Sequence, residues 1–124
     1  MRLLFAGCFV LASVFTAVAQ GDDAERDKSW FNLHKLAIDI YEAENCVFRT
    51  INDTSDIERK RLQLLEARRT DVFVTAIDSY LTKYEPAPRE TAEGFKFRVW
   101  EIALRVGFEK ARPMDASSCQ KMIR

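Results

Sequence analysis

"FRVWEIALRVGFEKARP", residues 97–113, is the stretch on which the fold class turns. Phe97, Val99, Trp100, Ile102, Leu104, Val106 and Phe108 fill most of it, while Arg98, Glu101, Arg105 and Glu109 recur at spacings of 3, 4 and 4. At helical pitch those four charges fall within about 80° of one another. Each neighbouring pair has opposite sign at i,i+3 or i,i+4, which is worth roughly 0.2–0.5 kcal/mol apiece on a helix. A helix apolar round most of its remaining circumference is expected to be enclosed by others. The segment from about Arg89 to Arg112, stopped by Pro113, therefore reads as the central helix of a bundle, with the charges as its solvated stripe. Alternation in Phe95, Phe97 and Val99 also suits a strand, but the sequence offers no partner strand.

The helices around it follow from the same period. From about Trp30 to Arg49, with Ser29 as a cap, Trp30, Leu33, Leu36, Ala37, Ile40, Tyr41, Val47 and Phe48 share a face. Lys35, Asp39 and Glu42 fall opposite, and Glu44 sits inside the apolar arc. "TINDTSD", residues 50–56, supplies turn formers. Ser55 and Glu58 then make a capping box, and helical patterning continues to Tyr84, before Pro86 and Pro88. Ile57, Leu64 and Leu65 favour one side of this second helix, whereas Phe73, Ile77, Tyr80, Leu81 and Tyr84 favour another. That shift, and a length of about 45 Å for thirty residues, predict a break near "RRTD", with Thr70 capping a second segment. A short last helix, about Ala116–Met122, carries Cys119. The expected fold is all-α: a small bundle of four to five helices with one inter-helix disulfide.

The disulfide follows from the N-terminus. Arg2, an uncharged apolar run from Leu3 to Ala19 and the small residues of Ala17-Val18-Ala19 have the three-part form of a secretory signal peptide. The rival is an uncleaved anchor, and the 17-residue run stands at the short edge of what spans a bilayer. The expected organisation is a leader over residues 1–19, a flexible tail over 20–28 and one helical domain over 29–124. No integral membrane segment is expected once the leader is removed. Cys8 leaves with it, and Cys46 and Cys119 are expected to bridge in an oxidising compartment; two buried free thiols are the alternative. Closing a 73-residue loop stabilises by about 4–4.5 kcal/mol in the chain-entropy model. The expected location is exported, with the bacterial periplasm favoured over eukaryotic secretion. Asn52, in Asn52-Asp53-Thr54, is a glycosylation acceptor if the route is eukaryotic.

Composition removes several chemistries. Losing Arg2 takes the charge balance from 19 against 19 to 18 basic against 19 acidic. That leaves no basic excess to draw the chain to nucleic acid. His34 is the only histidine, so zinc sites built on several histidines or on four Cys/His ligands are excluded. Gly21, Gly94 and Gly107 stand apart, and no glycine-rich phosphate loop occurs. No catalytic residue, metal site or cofactor is expected. Glu44 is the one carboxylate the pattern turns inward, and pairing with Arg98 or Arg105 is expected to neutralise it.

"ERKRLQLLEARR", residues 58–69, is the remaining functional candidate. Its arginines suit docking on an acidic protein surface. Arg59, Arg61, Arg68 and Arg69, with Leu62 and Leu65 partly exposed beside them, form the expected partner-binding segment. The function read from sequence is an exported helical protein that binds another protein, as an inhibitor, immunity factor or adaptor. The alternative is a carrier of a small apolar ligand between helices, suggested by the eleven aromatic residues after the leader.

Overall fold

A computed structural model describes residues 2–49 and 56–123, with side chains from residue 23 onward. Asn52 and the Ser55 cap lie outside the described residues. The helices are α1 (Arg2–Arg49), α2 (Asp56–Lys83), α3 (Ala92–Lys110) and α4 (Ala116–Met122), and no strand occurs among the described residues. The protein is all-helical, as its periodicity implies, and Cys46 and Cys119 form a disulfide with Cα atoms 5.6 Å apart.

The chain divides into two compact units, Met1–Phe31 and Asn32–Arg124. The described residues of the first are all helical. Residues 20–28, expected as a loose tail, and Ser29, expected as a cap, therefore lie inside α1. Ala24, Glu25, Arg26 and Lys28 are favourable helix residues, and no glycine or proline interrupts the chain from 22 to 85.

In the second unit, three helices run up, down and up. Arg69 of α2 meets Asp39 of α1, and farther along Leu62 packs by Cys46, so these two helices are antiparallel. Phe73 stands edge-on to Trp100 with ring centroids 5.4 Å apart, and Tyr80 lies 6.2 Å from Phe95, so α2 and α3 are antiparallel too. The core is Leu33, Ala37 and Ile40 of α1, Phe73, Ile77 and Tyr80 of α2, and Phe95, Val99 and Ala103 of α3. Where α1 and α3 cross, Gly107 lies against Ala37: a Cβ built on it would stand 2.6 Å from the Ala37 Cβ.

α3 is not the enclosed helix that its composition suggests. It starts at Ala92, because Arg89 takes a left-handed φ of 68° and Thr91 caps the helix by accepting from Gly94 N at 3.0 Å. One face is buried, with Phe95, Val99, Ala103 and Gly107 at four-residue intervals. Phe97 and Phe108 are exposed. Three long helices packed together leave each with an outer side, so there is no central one. Glu101, Arg105 and Glu109 do form part of that wet side.

α2 is one uninterrupted helix of 28 residues, with no break at "RRTD". The apparent phase shift has a specific cause. Leu62, Leu65, Arg69, Phe73, Ile77, Tyr80 and Tyr84 form a continuous stripe at intervals of three and four. An arginine occupies one core-facing place in it. Arg69 fills that place by donating from Nη1 to the Asp39 carbonyl at 2.7 Å. Thr70 caps nothing; its hydroxyl donates back to the Glu66 carbonyl at 2.9 Å. Ile57 and Leu64, which with Leu65 favour one side of the helix by spacing, are exposed.

α4 closes one end. Asp115 caps it, accepting from Ser118 N at 2.7 Å. The bridge seats Cys119 against Cys46 and Leu62, and Val47, Met114, Met122 and Ile123 pack around them. The connecting segment, residues 111–115, is fastened to α1: Asn45 Nδ2 donates to the Arg112 carbonyl at 3.4 Å, and Arg49 Nη1 to that of Met114 at 3.3 Å.

Candidate functional site: the outer face of α2

Several of the charged groups serve the fold. The buried carboxylate is Glu42, 5% exposed, and not Glu44, which is only half-buried. Glu42 does lie opposite the main apolar face of α1, but the 111–115 segment crosses that side and covers it. Arg112 donates to Glu42 Oε1 from Nε at 3.0 Å and from its backbone N at 3.3 Å. Burial pushes the Glu42 carboxyl up, and the hydrogen bonds and charge of Arg112 outweigh it, so the group is held below its ordinary value. Arg98 does not meet Glu44. It makes a two-point pair with Glu90, from Nε at 2.8 Å and Nη2 at 3.0 Å, and lies over the Phe95 ring. Glu90 also accepts from Ala87 N at 3.0 Å, which fixes the turn before α3. Arg105 is exposed.

Glu44 has a different neighbour. Burial, together with the charge of Glu44, raises the Glu66 carboxyl above its ordinary value. His34 is half-buried and lowered, by burial and by Lys110. Among the described residues no group of three or more His, Cys, Asp or Glu is placed to hold a metal ion. No helix among them is long and apolar enough to cross a membrane.

The six residues expected to bind a partner separate into two sets. Leu62, 1% exposed, is core beneath the disulfide. Arg69 is committed to Asp39. Arg59 turns along its own helix to Asp56, at 2.6 Å. Those three belong to the structure of the helix and its packing, because they fall on or beside the buried stripe. Arg61, Leu65 and Arg68 come together on the outside. With Leu64, Met122 and Ile123 they line an open groove of about 330 Å³ between α2 and the end of α4.

The groove belongs to a longer surface feature. Ile57, Arg61, Leu64, Arg68 and Val72 succeed one another at intervals of 4, 3, 4 and 4. On a helix they lie within about 80° and extend over about 22 Å. Ile57, Leu64 and Val72 are 65%, 59% and 54% exposed. Arg61 and Arg68, between them, are exposed and make no ion pair among the described residues. Past Val72 the same line becomes polar: Thr75, Ser79 and Thr82 line a shallow hollow with Asp78 and Lys83. The apolar and basic part is thus confined to residues 57–72 of α2.

Sequence reasoning missed Ile57, Leu64, Val72, Met122 and Ile123. A signal for the first three existed, in their spacings of 7 and 8; Ile57 and Leu64 entered the sequence reading only as one side of a broken helix, and Val72 did not enter it. A second exposed apolar group has a partner in the fold: Phe108 stands edge-on to Tyr41, 5.7 Å between centroids, beside Asn45, Ala111 and Pro113. Compared with protein-family models, curated proteins and solved structures, the chain matches none.

Proposed function

We propose that this is an exported, disulfide-clipped helical protein that binds another protein through the outer face of residues 57–72 of α2, as an inhibitor, immunity factor or adaptor. The observation that carries the reading is the stripe itself. Three branched aliphatic side chains are more than half exposed, in line, with two exposed arginines between them that make no ion pair among the described residues. Single exposed apolar residues need no explanation, but an aligned set with a polar rim marks an interaction surface. Arginine among apolar anchors is the composition that protein interfaces favour. The leader-like N-terminus and the bridge support export.

The test is capture of the partner from the native compartment by the mature chain and by the double variant Arg61→Glu/Arg68→Glu. Neither arginine supports the fold, so circular dichroism and melting stay near wild type. Loss of most captured protein is expected. Undiminished capture by the variant moves the interface elsewhere. Recovery of a stoichiometric apolar ligand with no protein partner overturns the reading in favour of the carrier.

A further inference from the structure

We infer that the segment seated on this face is an acidic amphipathic helix, supplied by a different protein and carrying carboxylates about seven residues apart. The inference rests on the proposed protein-binding role and names its partner. Three observations lead to it.

The first is the geometry of the apolar anchors. Leu64 lies seven residues from Ile57 and eight from Val72, which on a helix is about 10.5 and 12 Å. A partner helix presents apolar residues at the same two-turn interval. A strand repeats every two residues, at about 6.6–6.8 Å, and keeps step with this spacing poorly. A strand also needs an unpaired backbone edge to add to, and α2 has its backbone bonded internally from Asp56 to Lys83. The groove between α2 and the Met122–Ile123 end of α4 gives such a helix a trough to lie in.

The second is the charge. Arg61 and Arg68 are themselves seven residues apart. Lys60 flanks the face near Arg61 and Asp71 flanks it near Arg68, so three cations stand against one carboxylate and the face keeps two positive charges. Glu58 points round toward α4, where its Oε1 is 3.5 Å from Gln120 Nε2. Carboxylates on the partner at the same interval meet both arginines at once.

The third is the symmetry of the arginines about Leu64 and Leu65. Pairing with a second copy in antiparallel fashion, centred there, sets Arg61 against the partner's Arg68. Parallel pairing in register sets each arginine against itself. Like charges opposed across an interface suppress that pairing, so the face selects against its own kind.

The experiment has two arms. In the first, a photo-crosslinking residue replaces Leu64 in the full chain, expressed in its native compartment, and the cross-linked peptide is mapped. The expected product is a segment of another protein with helical apolar spacing and carboxylates about seven residues apart. In the second, the mature chain is titrated with a three-heptad amphipathic peptide bearing glutamates beside its apolar seam, and with the same peptide bearing lysines. Tighter binding of the glutamate peptide, by about tenfold at low salt, is expected from two favourable pairs in place of two repulsive ones. The preference should invert in Arg61→Glu/Arg68→Glu. A cross-linked protein segment that is basic or not helical, or equal binding of the two peptides, overturns the acidic helix and leaves protein binding standing. Cross-linking to a second copy overturns the hetero-partner. Cross-linking only to lipid, or to nothing, overturns the proposed function with it.

Discussion

Gly107→Ala sets two known effects against each other, and the structure says which wins. In a helix interior the change gains about 0.8–1 kcal/mol of propensity. Against that, the new Cβ would stand 2.6 Å from the Ala37 Cβ, 2.8 Å from its backbone carbonyl carbon and 3.0 Å from its oxygen. The first two are distances that real Cβ atoms essentially never show and the third is tighter than most, and two of the three atoms are backbone that no rotamer change can remove. α3 has to move off α1, and Ala37 and Ala103 are both fully buried on that seam. Forcing an extra carbon into a packed core costs typically 1–3 kcal/mol; a backbone obstacle places this site in the upper half of that range. The net expectation is destabilisation by about 1–2 kcal/mol, or a fall in melting temperature of roughly 5–15 °C for a domain of this size. Thermal unfolding followed by far-UV circular dichroism, with the disulfide intact, measures it. Ala37→Gly in the same chain should restore part of the loss, since it removes the Cβ and leaves the backbone atoms. Gly94→Ala is the control: its nearest neighbours are side chains, Thr91 Oγ1 at 3.1 Å and Glu90 Cγ at 3.7 Å, so it should stay within about 0.5 kcal/mol. A melting temperature unchanged or raised by Gly107→Ala would refute the close approach of α1 and α3.

Three further outcomes follow from the charged groups and the bridge. Glu42→Gln should destabilise by about 1–2 kcal/mol at neutral pH, through weakened charge-assisted bonds to Arg112, while Glu44→Gln changes little; urea unfolding measures both. Because the folded-state value of Glu42 is depressed, its contribution is complete above the unfolded carboxylate pKa and is lost as pH falls through the folded value, so the two curves should converge in acid. Glu66 is raised instead, so its ionisation opposes folding at neutral pH: Glu66→Gln should stabilise there, and the gain should vanish once pH drops below the unfolded carboxylate value. Cys119→Ala should lower stability by roughly 2–5 kcal/mol, and mass spectrometry of the unreduced native protein should show neither Cys46 nor Cys119 open to alkylation.

Much of the fold was legible because the helices announce themselves locally. Pro86 and Pro88 stop α2, Pro113 follows α3, and the bridge was expected because the leader-like N-terminus set Cys8 apart from the other two cysteines. What failed were inferences that needed tertiary knowledge. Arg69 hid the continuity of α2, because an arginine in a core stripe is readable only when its acceptor, the Asp39 carbonyl, is in view. Glu42 was assigned to solvent on the geometry of α1 alone, and it is a connecting segment 70 residues away that buries it. The aromatic wealth of α3 pointed to enclosure, but a bundle of three long helices has an outside for each. The same error inverted the candidate site. Ile57 and Leu64 read as one apolar side of a broken helix and Leu62 as a partly exposed anchor, since periodicity says that a face is apolar and not which element, if any, will cover it.

That uncovered face is the central claim. The most direct measurement is the affinity of the captured partner for the protein carrying Leu64→Asp, set beside Phe97→Asp, a still more exposed apolar position on α3. Neither change should lower the melting temperature appreciably. A loss of binding of at least tenfold for Leu64→Asp, with Phe97→Asp within about twofold of wild type, is the expected result. Equal affinities for the two variants, or a loss confined to Phe97→Asp, would contradict an interface on residues 57–72 of α2.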